Sequence, residues 1–287
     1  MKNFLENFAI LVNSTDSFED CWQPFFKLFN TFWQNCEVPI YLNTESKEFS
    51  YPNLNIICTK VGNNYRKKGR PPWGWCLIEC LKSIEEDYIL YLQEDYFVYD
   101  NINTEILYQL IDILSNVSWS HQDCSHIGLT HFGSHSPFHL TEFPMLWEID
   151  RNANYRLSLQ AGLWKKESLI KYINERDTGW NFEEIGSKRS RQYKERFLTV
   201  NRHIFNPNNE LIIPYIHTGI IRGKWNEEAV VELFKQHNIE VDYSIRGFYD
   251  SSSIRKPQLS FVQRKIRNLT YKVKRALNKS IDSFRDY

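Results

Sequence analysis

Short apolar runs that end in polar side chains alternate with helix-periodic segments through the first half of this chain. The run from Phe8 to Val12 is followed by Asn-Ser-Thr-Asp, and aromatic residues then recur every three or four positions up to Phe32. This pattern is typical of a strand, a loop and a helix. Further strands are predicted at 39–42, 54–61, 88–97 and 127–130, and further helices at 76–84 and 105–114. Repeated strand–helix units predict a three-layer α/β/α fold around a mostly parallel central sheet.

The second half of the chain is less regular. Apolar runs at Leu146 to Ile149 and Tyr155 to Trp164 flank a polar turn that suits a hairpin or a pair of short strands. Helices are predicted at 165–174, from residue 181 onward and at 226–237, and a strand is predicted at 211–216. No internal repeat interrupts this order.

The amino-acid composition is typical of a folded protein. Of the 287 residues, 42% are hydrophobic, which is enough apolar surface to bury a core and excludes a disordered chain. No run approaches the roughly 18 apolar residues that a membrane span needs, and the first nine residues carry Lys2 and Glu6, unlike a signal peptide. Six irregularly spaced cysteines read as reduced thiols. We therefore expect a cytoplasmic protein.

The net charge of zero conceals a basic tail. Residues 255–287 carry ten Lys or Arg and two Asp, a balance of +8 against −8 for the rest. Apolar residues recur there at spacings of three and four, which predicts a basic amphipathic helix. Such a helix binds an anionic membrane surface, packs on a protein surface, or, as a less favoured reading, forms a nucleic-acid arm. We predict one domain over residues 1–254 and a separate helical tail over 255–287, which would place the protein at the inner face of the membrane.

Polar residues at strand ends are the first candidates for a site, because ligands of open α/β sheets bind beyond the carboxyl ends of the strands. After the first strand, Asn13, Ser14 and Thr15 offer hydrogen-bonding side chains, although helix capping alone would also account for such residues. After the central strand come Glu94 and Asp95. Two carboxylates at a buried strand end need a cation, hydrogen-bond donors or a ligand, and a divalent ion bridging to a diphosphate would meet that need. A purely structural pair remains the alternative.

Four segments together resemble a bacterial nucleotide-sugar-dependent glycosyltransferase with the GT-A fold. They are Asn13-Ser-Thr15, Arg70-Pro-Pro-Trp73, Tyr88-Ile-Leu-Tyr-Leu-Gln-Glu-Asp95 and Trp180-Asn-Phe-Glu183, within a likeness that covers about residues 7 to 240. The resemblance implies a Rossmann-like sandwich in which Asp95, with Glu94 adjacent, holds Mn²⁺ or Mg²⁺ on the donor diphosphate. The sequence has Glu-Asp-Tyr where the family has Asp-x-Asp, so metal independence stays open.

The same resemblance assigns the remaining site residues. Glu183, with Glu184 beside it, matches the place where inverting GT-A enzymes carry the base that deprotonates the acceptor hydroxyl. Trp180 and Phe182 are expected to wall the sugar. The alternative is that Glu183 and Glu184 are ordinary acidic residues in the first turn of a helix, where the helix dipole favours them. His217, Arg222 and Lys224 supply donors and positive charge for the departing diphosphate. The implied donor-binding residues are Asn13, Ser14, Thr15, Arg70, Trp73, Glu94, Asp95, His217, Arg222 and Lys224.

A second constellation competes with this one. His, Cys and Asp residues crowd positions 121–139, but their spacing matches no zinc motif, so an acceptor-side loop is the favoured interpretation. No Gly-x-Gly-x-x-Gly, Walker or Gly-x-Ser-x-Gly motif is present. The resemblance to GT-A enzymes implies an inverting glycosyltransferase that moves a sugar from a nucleotide-diphosphate donor to a surface-polysaccharide or lipid-linked glycan. The alternative is a non-catalytic nucleotide- or carbohydrate-binding protein on the same scaffold.

Overall fold

A nine-stranded mixed sheet organises the computed structural model, which describes residues 5–116 and 124–250 of the chain. The strands of this sheet are β1 Phe8–Asn13, β2 Ile40–Leu42, β3 Ile56–Cys58, β4 Tyr88–Gln93, β5 Cys124–Gly128, β6 Phe138–Leu140, β7 Leu146–Ile149, β8 Gly162–Lys165 and β9 Arg196–Val200. A separate two-stranded hairpin pairs β10 Ile220–Ile221 with β11 Lys224–Trp225.

Seven α-helices surround or follow these strands in the described residues. They are α1 Glu19–Phe32, α2 Trp73–Ser83, α3 Thr104–Asn116, α4 Lys166–Tyr172, α5 Gly179–Asn181, α6 Ser187–Ser190 and α7 Glu227–Gln236. A π-helix at Phe182–Gly186 joins α5 to α6, and short 3₁₀-helices lie at Leu5–Asn7, Asp16–Phe18 and Val61–Asn64. None of the described helices is long and apolar enough to cross a bilayer.

The sheet has the order β3-β2-β1-β4-β8-β5-β9-β7-β6. β1 to β4 pair in parallel, β5 pairs in parallel with β9, and β8 and β7 run antiparallel to their neighbours. Seven of the nine strands therefore point in one direction, with their carboxyl ends at one edge. The prediction of an α/β fold with a mostly parallel central sheet is confirmed.

The core lies on both faces of this sheet. All six residues of β1 are buried, although successive side chains of a strand point to opposite faces. Ala9 and Leu11 pack in one cluster with Leu77 of α2 and Leu169 of α4. The side chains between them, such as Ile10, are equally buried on the other face. Both faces are thus covered, as a three-layer arrangement requires.

Three predicted elements were wrong in type or extent. β4 ends at Gln93, because the backbone turns there and Tyr96 N donates to Gln93 O. Within 155–164 only the last residues form a strand, and β8 lies between β4 and β5 instead of forming a hairpin with β7. Residues 211–216 make only an isolated bridge at Tyr215, since Pro214 has no N–H for a ladder.

The chain divides into two units, Met1–Gly247 and Phe248–Tyr287. Only residues 248–250 of the second unit belong to the described part of the chain. The predicted amphipathic helix over 255–287 lies outside the described residues, and its boundary at residue 254 stays a prediction.

Candidate functional site

An amide and hydroxyl network occupies the carboxyl ends of β1, β2 and β4. Asn13 Nδ2 donates to Tyr91 Oη at 3.1 Å, and Asn43 Nδ2 donates to Asn13 Oδ1 at 2.8 Å. Gln93 Nε2 also donates to Tyr91 Oη, at 3.3 Å. Asn13 is therefore held from both sides by protein groups. Asn43 escaped the sequence reasoning, although it directly follows β2, and Asn13 is the last residue of the neighbouring strand β1.

The loop after β1 is likewise organised by internal contacts. Ser14 Oγ accepts from Trp22 Nε1 at 2.8 Å, and the Thr15 and Ser17 hydroxyls are 2.8 Å apart. Thr15 precedes the 3₁₀-helix without capping it through its side chain, so capping does not account for this residue. Asp16 accepts from the backbone N–H of Glu45 at 2.8 Å. The loop is thus tied to the segment that follows β2.

Arg70 joins the same region. Its Nε and Nη2 donate to Glu45 Oε1 at 3.0 and 2.9 Å, and Nη2 also donates to Ser17 Oγ at 3.1 Å. Trp73 begins α2 three residues later, and its ring centroid lies 6.1 Å from that of Phe182. The structure therefore places Arg70 on the predicted donor side of the sheet, through contacts that leave its guanidinium largely exposed.

Glu94 and Asp95 lie in the turn directly after β4, with only 8% and 9% of their surfaces exposed. Burial raises the pKa of Asp95 to about 6, against hydrogen bonds to its Oδ2 from Ile220 N at 3.2 Å and Thr218 Oγ1 at 3.4 Å. Burial and the adjacent charge of Asp95 raise the pKa of Glu94 well above its usual value. Neither carboxyl has a salt bridge in the described part of the chain. The pair thus consists of two adjacent buried carboxyls, whose charged forms a cation would stabilise.

Glu183 is linked through Leu159 to Tyr96, the residue that follows Asp95. Its Oε1 accepts from Leu159 N at 2.9 Å and Ser158 Oγ at 3.4 Å, and Tyr96 Oη donates to Leu159 O at 3.0 Å. One residue therefore connects Glu183 to the turn that holds Asp95. Burial raises the pKa of Glu183. Burial is also the main cause of the raised pKa of Tyr91, and the charges of Glu94 and Glu183 both add to it.

The helix around Glu183 is irregular. Glu183 lies in the π-helix, a geometry that is frequent at functional sites. Glu184 is exposed and contacts Lys188 Nζ at 3.2 Å, as an ordinary helical pair does. Trp180 is 78% exposed, whereas Phe182 is fully buried between Trp73 and Trp164. The expectation that Trp180 and Phe182 together wall a sugar was wrong for Phe182, because its ring belongs to the core.

The segment that carries the predicted leaving-group residues is anchored to Asp95 through Thr218 and Ile220. His217 precedes it, exposed, with its ring centroid 4.3 Å from that of Phe132, and burial of part of the ring lowers its pKa. Arg222 and Gly223 have φ angles of 52° and 78° and form the two-residue turn between β10 and β11. Arg222 and Lys224 are exposed on this turn, and the structure shows no contact between either and the acids.

Arg246 is a functional candidate that the sequence did not reveal. Its buried guanidinium forms two hydrogen bonds with the Asp20 carboxylate and donates to Ser17 O at 2.6 Å and Gly223 O at 3.5 Å. Its charge opposes the burial that raises the pKa of Glu94. Arg246 therefore joins the loop after β1 to the hairpin turn. No local pattern could have shown this, because the two partners lie near opposite ends of the chain.

The described residues contain no group of three or more His, Cys, Asp or Glu side chains able to hold a metal. His121 and Asp123 of the competing constellation lie outside the described residues. His126 is a core residue whose ring centroid lies 4.1 Å from that of Trp164, and His139 contacts Asp150 at 2.8 Å. Glu94 and Asp95 remain as carboxylates for a hard cation that takes its other ligands from phosphate and water.

No family model matches this chain, and no curated protein does. Among solved structures, S. aureus TarS 1-349 has 10% identity and a TM-score of 0.44, with 84% of this chain and 68% of that chain covered. A mycobacterial protein has 10% identity and a TM-score of 0.41, with 85% and 76% covered. An active-site mutant of LgtC has 8% identity and a TM-score of 0.35, with 92% and 95% covered. Because all three TM-scores are below 0.5, the fold assignment rests on the sheet topology.

Proposed function

We propose that this protein is a glycosyltransferase of the GT-A type that transfers a sugar from a nucleotide-diphosphate donor. One observation carries the proposal: Glu94, Asp95 and Glu183 converge around Tyr91 and Tyr96 at the carboxyl edge of a mostly parallel sheet. Ligands of such sheets bind at this edge. Three acids with raised pKa values in one place are the groups that such a transfer needs.

The donor would lie along the edge from β1 to β4. The loop after β1 and Arg70 would contact the nucleotide, and the diphosphate would approach Glu94 and Asp95. These two carboxylates would hold Mn²⁺ or Mg²⁺, which neutralises diphosphate charge when bound. Arg222 and Lys224 would supply further donors to the leaving diphosphate.

Glu183 would act as the base. Its Oε1 is held by Leu159 N–H, which fixes the carboxylate, and its pKa is raised by burial toward the range where proton transfer at neutral pH is efficient. A base that takes the acceptor proton during direct displacement implies inversion. A surface or lipid-linked glycan as acceptor, and a membrane surface as partner of the 255–287 tail, are parts of this proposal that rest on the sequence.

The same hydrogen bond from Leu159 supports a second candidate. A carboxylate bound by a backbone N–H can serve only to fix a loop, and in that case the protein binds a nucleotide or carbohydrate without catalysis. The two candidates differ in the consequence of removing the charge of Glu183.

The test compares Glu183→Gln with Glu184→Gln, a matched change one residue away on the exposed side of the helix. Nucleotides and nucleotide sugars are first screened by thermal shift, with and without Mn²⁺ or Mg²⁺. For a donor that binds, we expect Glu183→Gln to lower turnover by about 10²- to 10⁴-fold with donor affinity retained. Glu184→Gln should retain turnover. Equal turnover in both variants would remove Glu183 from the role of base.

A further inference from the structure

Three basic side chains meet at the same edge of the sheet, on the side away from β1. His131 follows β5 and Arg202 follows β9, two strands that run in the direction of β4. The rings of His131 and His217 both contact Phe132, with centroids 4.6 and 4.3 Å from its ring. We call His131, Arg202 and His217 the basic cluster.

The basic cluster has no carboxylate partner among the described residues. Burial lowers the pKa of Arg202, of His131 and of His217, and for His131 the charges of Arg202 and His217 lower it further. No acid raises the pKa of any of the three. Arg202 Nη2 donates to Ser134 O at 2.6 Å, while its buried Nε and the buried Nδ1 of His131 have no partner.

Arg189, Arg196 and Arg246 each form a salt bridge with a carboxylate. Arg156 is more deeply buried than Arg202 and has no salt bridge with a described residue, but its guanidinium donates to Ser190 O, Ser190 Oγ and Glu195 O. Arg202 instead lies with its guanidinium carbon 4.8 Å from the Phe138 ring centroid. A guanidinium that loses water without gaining a counter-charge costs free energy, so such groups are normally paired. The cluster therefore has the charge and the unused donors of an anion site.

A phosphate group fits these donors. Arginine presents parallel N–H groups that match two phosphate oxygens, and imidazoles add shorter-range donors. The partial burial of Arg202 strengthens such a bond, because less water competes with it. The negative charge of a phosphate would supply the counter-charge that Arg202 lacks among the described residues.

The position of the cluster indicates which phosphate it would bind. β5 and β9 are the second and third strands beyond β4, and neighbouring strands are spaced about 4.8 Å apart, which places them roughly 10 and 14 Å from β4. The proposed nucleotide side lies in the opposite direction, at β1 and β2. We propose that His131, Arg202 and His217 bind a phosphate group carried by the acceptor. The assignment to the acceptor rests on the proposed function, whereas the anion site itself does not.

The first experiment tests the anion site alone. Binding of inorganic phosphate is measured by calorimetry for the wild type, Arg202→Gln and Arg176→Gln, a control that removes the same charge from an exposed side chain elsewhere. We expect about a tenfold loss of phosphate affinity, or more, in Arg202→Gln and no change in Arg176→Gln. Equal phosphate affinity in the wild type and Arg202→Gln would overturn the site, as would an adventitious weak affinity in all three.

Folding is separated from binding by the melting temperature. Because Arg202 has no carboxylate partner, the phosphate-free Tm of Arg202→Gln should stay within about 3 °C of the wild type. If Arg202→Gln fails to fold, the assignment of Arg202 to the anion site is rejected. Phosphate binding by His131→Gln then decides whether the two histidines bind phosphate without Arg202.

The last arm identifies the source of the phosphate. Glycerol phosphate and the nucleoside diphosphate that binds best are titrated into the wild type and Arg202→Gln. A loss confined to glycerol phosphate supports the acceptor assignment, and a loss confined to the nucleoside diphosphate contradicts it. A wild type that binds phosphate but no nucleotide would contradict the proposed function and leave the anion site intact.

Discussion

The two halves of the sheet's carboxyl edge differ in the kind of charged side chain that lacks a salt bridge. On the β1 to β4 side, Arg70 bonds Glu45 and Arg246 bonds Asp20, whereas Glu94 and Asp95 form no salt bridge with any described residue. On the β5 to β9 side, Arg202 has no carboxylate partner. Unpaired acids on one side and unpaired bases on the other would place a cation and an anion beside each other. In the two proposals made above, both imbalances serve a ligand.

The largest expected effect on stability comes from removing the counter-charge of Arg246, which then lacks a carboxylate partner as Arg202 does. Asp20→Asn leaves Arg246 buried without a counter-charge and should lower the free energy of unfolding by about 3 kcal/mol, measured with urea. Glu19→Gln is the matched control, because Glu19 is exposed in a salt bridge with Lys47, and it should cost less than about 1 kcal/mol. If both variants cost equally little, this fold tolerates unpaired arginines, and the argument from Arg202 loses its basis.

An effect of at most similar size, reached only as pH rises, is expected from the titration of Asp95. The pKa of Asp95 is raised by burial to about 6, so the folded protein keeps a proton that the unfolded chain releases near pH 4. Its contribution to stability is present below pH 4 and is lost as pH rises through about 6, up to roughly 3 kcal/mol. Asp95→Asn should therefore gain stability relative to the wild type between pH 4 and 7, measured by thermal unfolding in EDTA.

Asp16 gives the opposite sign and serves as the control. Its burial is outweighed by hydrogen bonds from Ser46, Glu45 and Lys47, which lower its pKa. Its contribution is present above the unfolded pKa and is lost as pH falls, so Asp16→Asn should lose stability relative to the wild type as pH rises. Parallel slopes for Asp16→Asn and Asp95→Asn would contradict the burial argument.

The smallest effect is expected at the residue that joins the two sides. Tyr215 stacks on Tyr96 at 4.6 Å, contacts the ring of Phe132 at 5.7 Å, and donates to Gln160 Oε1 at 2.8 Å. Tyr215→Phe removes this bond and should cost about 1 kcal/mol of unfolding free energy. Tyr99→Phe alters an exposed ring and should change it by less than about 0.5 kcal/mol. A cost as small for Tyr215→Phe would show that the two sides are not coupled through its hydroxyl.

Hydrophobic patterning was sufficient to predict the helices and strands in which apolar residues recur with a regular period. β1, α1 and α7 fall within two residues of their predicted bounds, because each has a continuous apolar face. The same reasoning failed at 211–216, where apolar residues are buried as an irregular segment and Pro214 prevents a ladder. The segment is apolar because it is buried, but the missing N–H of Pro214 keeps it from forming a regular strand.

The end of an apolar run was the signal that singled out Glu94 and Asp95 in the sequence. The structure shows both residues buried in the turn after β4, and their role stays a prediction. Arg246 and Asp20 were missed, because their contact joins positions 226 residues apart. His131 was seen only as one of several possible zinc ligands. Its place beside Arg202 depends on the pairing of β5 with β9, which the sequence does not indicate.

One oxygen of Asp95 holds Thr218 and Ile220, and the same short stretch leads into the turn that presents Arg222 and Lys224. That oxygen cannot take up a new partner without sharing or releasing these donors. Binding of a ligand at Asp95 would therefore also affect the segment that positions the side chains of Arg222 and Lys224.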